Sequence, residues 1–422
     1  MMGSALRLAA AALLLASCAG VGQAPAASSA ADELVVRTAH DIQVRNAKGD
    51  LLRSFGRAVA SPDGSVYYAL EGAGPSTLGW IEAKTGRALT RLELPGTLSF
   101  ADEHGPAPSG FSPNGRWLVL AGPSGPSSRF VVVDTGLLKV AADVAVPGAF
   151  AYDAISDDGT SLYLIERIDA RAAQTLAGVN PAYAYRVRVY DLPSAKLSET
   201  LVVDTKLAAQ TNGDNAQTRI DGIMNGIYQS SVPSRDGQSN FSFYYNPNRG
   251  PFIHVLHLNS RNAFCILDLP IVPNGYDKRL RWSLALAPSG STLYASNGTL
   301  GLVSAIDTTT LKVRYTATVA GLPPVVAGPA RTGASSAVSR DGRKLYFPAE
   351  RGVALVDTND LSLRGLFLGD RTITSVSLSS DGHRLYALSS DGTITIADAN
   401  TGRQTGEFTT GDAAALLSVL SP

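Results

Sequence analysis

The chain has 422 residues, 45% of them apolar and 17% charged, which is enough for a sizeable hydrophobic core and well outside the range of a disordered chain. Its 36 Lys and Arg balance 36 Asp and Glu, so the long-range attraction expected of a nucleic-acid binder is missing. Two cysteines, Cys18 and Cys265, cannot build a disulfide framework, and five scattered histidines argue against a histidine-rich metal centre.

Arg7 precedes the apolar run Leu8–Ala16, which has the length of a signal-peptide core and is too short to span a bilayer. The run ends in Leu15-Ala16-Ser17-Cys18, which resembles the lipobox of bacterial lipoproteins. That resemblance implies a signal peptide over 1–17, cleavage before Cys18 and a diacylglyceryl group on its sulfur. An ordinary secretory peptide cut at an Ala-x-Ala site is the alternative, with Cys18 incidental. Residues 18–31 carry alanine, glycine, serine and proline without charge or periodicity and read as a tether, with folded sequence over 32–422. Cys265, in Ala263-Phe264-Cys265-Ile266-Leu267, reads as a packed strand position.

The body repeats. A short apolar strand, a turn of the form Ser/Pro-x-Asp/Asn-Gly and a second strand, usually with Leu-Tyr, recur at Gly64, Gly115, Gly159, Gly237, Gly290, Gly342 and Gly382. The spacings are 51, 44, 78, 53, 52 and 40 residues, a unit of 40 to 50 with one large insertion. Asp and Gly both tolerate positive φ, which predicts a tight hairpin at each copy. Third strands follow at Leu78–Ala83, Phe130–Val133, Val187–Tyr190, Ile253–Leu258, Leu302–Ile306, Val353–Val356 and Thr393–Ile396, each with a polar turn and a fourth strand behind it. Four antiparallel strands per unit, repeated radially, predict an all-β fold, a single β-propeller.

The two ends of the sequence set the blade count. Glu33–Arg37, Ile42–Arg45 and Leu51–Phe55 read as second, third and fourth strands lacking a first, and Ala415–Leu420 reads as a first strand lacking the rest. Joined, they make an eighth blade that closes the ring and hides its edges. Seven blades is the runner-up, with the terminal strands packed as extensions. The repeats resemble bacterial surface-propeller repeats of the YVTN type and, less closely, WD-type propellers, although regular Gly-His and Trp-Asp pairs are absent. The resemblance implies a stable exported disc and does not choose a function.

The Asp-Gly turns and the turns between third and fourth strands belong to one rim, which is uniformly short. The opposite rim receives the long segments 166–185, 205–224, 270–278 and 321–331, the expected interaction face. Tyr183, Tyr185, Arg219, Asp221, Tyr228, Tyr276 and Trp282 are the candidate binding residues there, since rigid aromatics mixed with hydrogen-bonding groups suit protein or glycan contacts. Trp282 also has the plainer reading of blade-to-blade packing. His104, Asp153, Arg281, Arg331 and Arg371 fall near the starts of first strands and form the candidate catalytic group at the channel mouth, unless each arginine simply pairs with a carboxylate.

His254 and His257, three apart on a strand, point to opposite faces and cannot share a metal without a bulge. No catalytic, haem or phosphate-loop motif stands out, and neither a cofactor nor a metal is expected. The leading expectation is a noncatalytic, lipid-anchored extracytoplasmic binding or scaffold protein with a monomeric body. It would meet a protein or glycan partner of the cell envelope and touch the membrane through its anchor only, at the outer face of the cell membrane or in the periplasm or outer membrane. The alternatives are an exported propeller enzyme, such as a lactonase, a polysaccharide lyase or hydrolase, or a subunit of a quinone-dependent dehydrogenase, and an inert envelope spacer.

Overall fold

The structure, a computed structural model, describes residues 32–420 apart from 73, 102–109, 124, 170–180, 204–221, 247–249, 272–280 and 323–334. The strands form eight antiparallel sheets arranged as the blades of a propeller. The first blade holds β1 (Glu33–Thr38), β2 (Ile42–Asn46) and β3 (Leu51–Ser54), completed by the last strand in the chain, β33 (Ala413–Leu420). The second has β4 (Ala58–Ala60), β5 (Val66–Glu71), β6 (Thr77–Glu82) and β7 (Ala88–Glu93). The third has β8 (Ser99–Phe100), β9 (Trp117–Ala121), β10 (Ser127–Asp134) and β11 (Lys139–Pro147). The fourth has β12 (Phe150–Ile155), β13 (Ser161–Arg167), β14 (Ala184–Asp191) and β15 (Lys196–Leu197), with a short β16 (Met224–Asn225) added beside β14. The fifth has β17 (Ile227–Pro233), β18 (Ser239–Asn246), β19 (Gly250–His257) and β20 (Asn262–Asp268). The sixth has β21 (Ser283–Leu286), β22 (Thr292–Asn297), β23 (Leu302–Asp307) and β24 (Lys312–Thr318). The seventh has β25 (Ala337–Val338), β26 (Lys344–Pro348), β27 (Val353–Asp357) and β28 (Leu363–Phe367), and the eighth β29 (Ile373–Leu378), β30 (Arg384–Ser389), β31 (Thr393–Asp398) and β32 (Gln404–Thr409).

Closure follows the expected route. β33 lies antiparallel to β1, with Glu33 opposite Leu420 and Arg37 opposite Ala415. The seven-blade reading is thereby set aside.

Second and third strands are buried on both faces because each blade is sandwiched between two others, whereas fourth strands alternate and face solvent. The core is accordingly a ring of layers between blades. Leu78 and Trp80 of the second blade pack against Leu118, Leu120 and Val131 of the third, and Val303 and Ala305 of the sixth pack against Leu345 and Phe347 of the seventh.

The repeated turn differs from the expected two-residue hairpin. Only its glycine has positive φ, from 70° to 78° over the seven copies, and the Asp or Asn before it does not. The turn is therefore a four-residue one closed by a bond from the Gly64 N–H to the Ser61 carbonyl, 2.8 Å, with equivalents in the other copies. Its serine explains the motif. Ser61 Oγ donates to Asp63 Oδ1 at 2.6 Å and accepts from the Val66 N–H at 3.0 Å, while Asp63 Oδ1 accepts from the Ser65 N–H at 3.1 Å. The same three contacts recur at Ser112, Ser156, Ser234, Ser339 and Ser379.

Candidate functional site

The strand order fixes two unlike rims. One carries the Ser-x-Asp-Gly turns and the turns from third to fourth strands, the latter tied by the last aspartate of the third strand: Asp307 Oδ1 accepts from the Thr309 and Thr310 N–H groups at 2.9 and 2.8 Å. Connections from second to third strands, and from each blade to the next, start and finish at the other rim. The long stretches between β13 and β14, β15 and β16, β20 and β21, and β24 and β25 all fall in that class.

Around the axis, the inner edges of the first five blades line a cavity of about 480 Å³ that reaches the Ser61–Gly64 and Ser112–Pro113 turns. Tyr152 and Asp153 of β12, Tyr228 and Ser231 of β17, and Leu417 and Leu420 of β33 are among its walls. Bulges fall at Tyr152/Ala154 and at Tyr228/Ser230, so Asp153 sits at an irregular point of its ladder. The Tyr228 hydroxyl donates to Ser231 Oγ at 3.1 Å. Behind Tyr228 lies an aromatic layer between the fourth and fifth blades. Tyr244 stacks on Tyr185 (centroids 5.3 Å apart) and on Phe252 (5.6 Å), and Tyr228 meets it edge-on at 5.7 Å. Burial, foremost, holds the Tyr244 phenol well above its ordinary pKa.

The structure places Asp153 and Tyr228 at this cavity and does not bring Arg281 or Arg371 to it. Arg281 Nη1 bonds Glu350 Oε2 at 2.9 Å and Thr299 Oγ1 at 3.2 Å, an enclosed pair with side chains 11% and 8% exposed. Arg371 Nη2 bonds Glu407 Oε2 at 2.5 Å, and Glu407 is on β32, the outer strand of its blade. Neither arginine lines the axial cavity. Trp282 is buried between the fifth and sixth blades with Phe241, Phe243 and Leu284, and Tyr185 is buried in the aromatic layer. Tyr183 is half-buried in a 3-10 turn, Pro181–Tyr183, where its carbonyl accepts from the Gly226 N–H at 3.1 Å. Cys18, His104, Arg219, Asp221, Tyr276 and Arg331 lie outside the described residues.

His254 packs near Tyr244, centroids 5.7 Å apart, while His257 Nδ1 lies 3.0 Å from Ser239 Oγ and burial lowers its pKa. Among the described residues no three His, Cys, Asp or Glu side chains gather as a metal-binding cluster, and no helix is long and apolar enough to cross a membrane. Sequence reasoning missed Tyr152, Ser231, Leu417 and Leu420 as cavity walls. The available signal was their common place in first strands, those of the fourth, fifth and first blades.

These features define the class: an eight-bladed β-propeller with an axial cavity and one rim of long connections. Among solved structures it resembles AztD from Citrobacter koseri, with a TM-score of 0.55 at 14% identity over 93% of this chain and 98% of that one. The apo form of the same protein gives 0.53 at 13% identity over the same shares. Dihydro-heme d1 dehydrogenase NirN in complex with DHE gives 0.49 at 13% identity, over 93% of this chain and 75% of that one. No protein-family model matches the chain, and no curated protein sequence does.

Proposed function

We propose that the protein is a noncatalytic, extracytoplasmic binding or scaffold protein, anchored by lipid on Cys18, whose rim of long connections meets a protein or glycan partner of the cell envelope. The observation that carries this reading is the division between the rims: apart from the stretch between β8 and β9, which corrects the expectation of a uniformly short rim, one is built from short, hydrogen-bond-locked turns, and the other long connections belong to the opposite rim. The pairing of Arg281 and Arg371 in two separate ion pairs supports binding over catalysis, because a joint catalytic group needs side chains converging on one reacting atom.

Replacing 205–221 by a short Gly-Ser linker tests the reading and spares Met224 and Asn225, which pair with Tyr185 and Ala184. The variant is expected to melt with wild type and to lose envelope partners crosslinked by wild type. Identical crosslinked sets would overturn the role of that connection.

A second reading rests on the axial cavity. Its apolar walls, with Asp153 and Tyr228 on one side, suit a small, largely apolar ligand carrying a hydrogen-bond donor. Equilibrium dialysis against a library of such compounds, with Tyr228→Ala as control, tests it; binding unaffected by that change would count against the cavity.

A further inference from the structure

We propose that the Ser-x-Asp-Gly rim of the first three blades lies on a lipid bilayer, held by five exposed leucines beside the point where the anchor segment joins the fold. The inference rests on the reading of Cys18 as a lipid anchor and adds which rim faces the membrane.

Leu51, Leu52, Leu89, Leu137 and Leu138 are 51%, 42%, 46%, 60% and 41% exposed, five of the eight large apolar side chains left open to solvent among the described residues. Each sits in or beside the turn from third to fourth strand, in the first, second and third blades respectively. The turn itself does not require this exposure. Leu361, at the place in the seventh blade that Leu138 holds in the third, has the same positive φ of 54° yet is 1% exposed and packed in the core between blades. Leu311, its counterpart in the sixth blade, also packs against a core layer. The other three, Ile271, Tyr315 and Leu366, are single residues of the fifth, sixth and seventh blades, so the exposed leucines of this rim cluster in three adjacent blades, where scattered single residues would be the ordinary pattern.

The same three turns carry Lys48, Lys84 and Lys139, all exposed. An ammonium beside a leucine suits a bilayer surface, where the leucine enters the acyl boundary and the lysine stays among phosphate headgroups. The carboxylates at these turns are engaged: Asp50 accepts a hydrogen bond from Asn46 Nδ2 at 2.8 Å, Glu82 accepts from the Thr85 hydroxyl, and Asp134 Oδ1 accepts from the Gly136 and Leu137 N–H groups at 3.0 Å.

The chain itself selects the bilayer as occupant. Glu33, the first residue of β1, pairs with Leu420, the last of β33, a junction that the Ser-x-Asp-Gly turn bridges in the other blades. Asp32 therefore enters the fold on that rim, in the first blade, where Arg384 and Tyr386 hold its carboxylate. Only 14 residues, 18–31, separate it from the anchor, a reach of at most about 50 Å fully extended. The leucine sector begins at this entry point. The long connections then face away from the membrane.

The test uses the full chain purified from membranes and placed in phosphatidylethanolamine/phosphatidylglycerol vesicles, with Leu137→Cys and Leu366→Cys variants probed by a membrane-impermeant maleimide. Wild type supplies the background from Cys265. Expected is labelling at position 137 that falls by roughly tenfold in vesicles relative to detergent, with position 366, on the outer strand of the seventh blade, unchanged. Equal labelling at 137 in both states overturns the proposal. Protection at 137 in dilute detergent also overturns it and points to a second copy of the chain. Intact mass separately reports diacylglycerol on Cys18, so loss of the anchor reading is distinguished from failure of the leucine surface. If the lipid is absent, the soluble chain with added vesicles gives the same readout at 137.

Discussion

Tyr386 and Asp32, 354 positions apart in the sequence, are joined by a hydrogen bond of 2.6 Å from the phenol to Oδ2, and Arg384 Nε lies 2.8 Å from the same oxygen. The carboxylate is buried, so its two partners rather than water balance its charge. Arg384→Met is expected to cost about 3–5 kcal/mol and Tyr386→Phe about 1–2 kcal/mol by denaturant unfolding. Amide exchange in β1 and β33 should accelerate more than exchange in the fifth blade. Equal acceleration everywhere would mean that the contact does not guard closure in particular.

The buried tyrosines and the turn aspartates set opposite limits of pH. Burial, foremost, pushes the Tyr346 phenol up to about 12, and Tyr67 and Tyr163 shift the same way. A phenol whose folded pKa exceeds its unfolded value gives full stability below about pH 10, lost as pH rises toward 12. Asp191 is held down to about 2 by the Ser194 hydroxyl, with Arg261 next, and Asp307 to about 2 by the Thr310 N–H and then Arg314. Their contribution is present above about pH 3.9 and lost as pH falls toward 2. Urea midpoints should form a plateau between these limits. A steep decline centred near neutrality would contradict both assignments.

Two glycines with nearly equal φ separate strain from crowding. A Cβ at Gly342 (φ 75°) meets nothing, whereas one at Gly159 (φ 71°) would lie 2.2 Å from the Trp117 ring, whose Nε1 donates to the Asp157 carbonyl at 3.1 Å. Gly342→Ala should cost about 1 kcal/mol from backbone strain alone. Gly159→Ala should cost about 2–4 kcal/mol and disturb tryptophan fluorescence, because the ring must leave its place between the third and fourth blades. Similar costs at the two positions would show that the fourth blade yields more readily than its packing indicates.

Arg281 and Glu350 give a direct test of structural against chemical use. Arg281→Met leaves an enclosed carboxylate unpaired and should cost about 3–5 kcal/mol, and adding Glu350→Leu should recover most of that loss. If the double variant regains stability but loses an activity that wild type shows, Arg281 has a chemical role beyond pairing.

The architecture was legible because Ser-x-Asp-Gly is a local structure with its own hydrogen bonds, repeated often enough to reveal a period. It even exposed the shared blade, since Ala415–Leu420 lacks the strands that Glu33–Phe55 supplies. The conformation of the turn was misjudged because the sequence shows which residues tolerate positive φ and not which adopt it. The candidate site was less legible. Nothing near Arg281 in sequence announces Glu350, 69 positions away, and Arg371 meets Glu407 across 36. Trp282 reads equally as a ligand platform or a packing wedge until its neighbours are known. Met224, the last residue of the long segment 205–224, and Asn225 just after it form β16 because the edge of β14 at Tyr185 and Ala184 offers them partners.

The clasp between β1 and β33 also imposes an order on biosynthesis. Blades two to eight are contiguous in sequence and acquire all their strands as the chain emerges, but the first blade waits with three strands until the final one is made. Throughout elongation Val35, Val36 and their neighbours on β1 show an unpaired edge to chaperones and proteases. A nascent chain stalled just before Ala413 is therefore an open arc with two sticky ends, and a quality-control protease that recognises edges would remove it while sparing the finished ring.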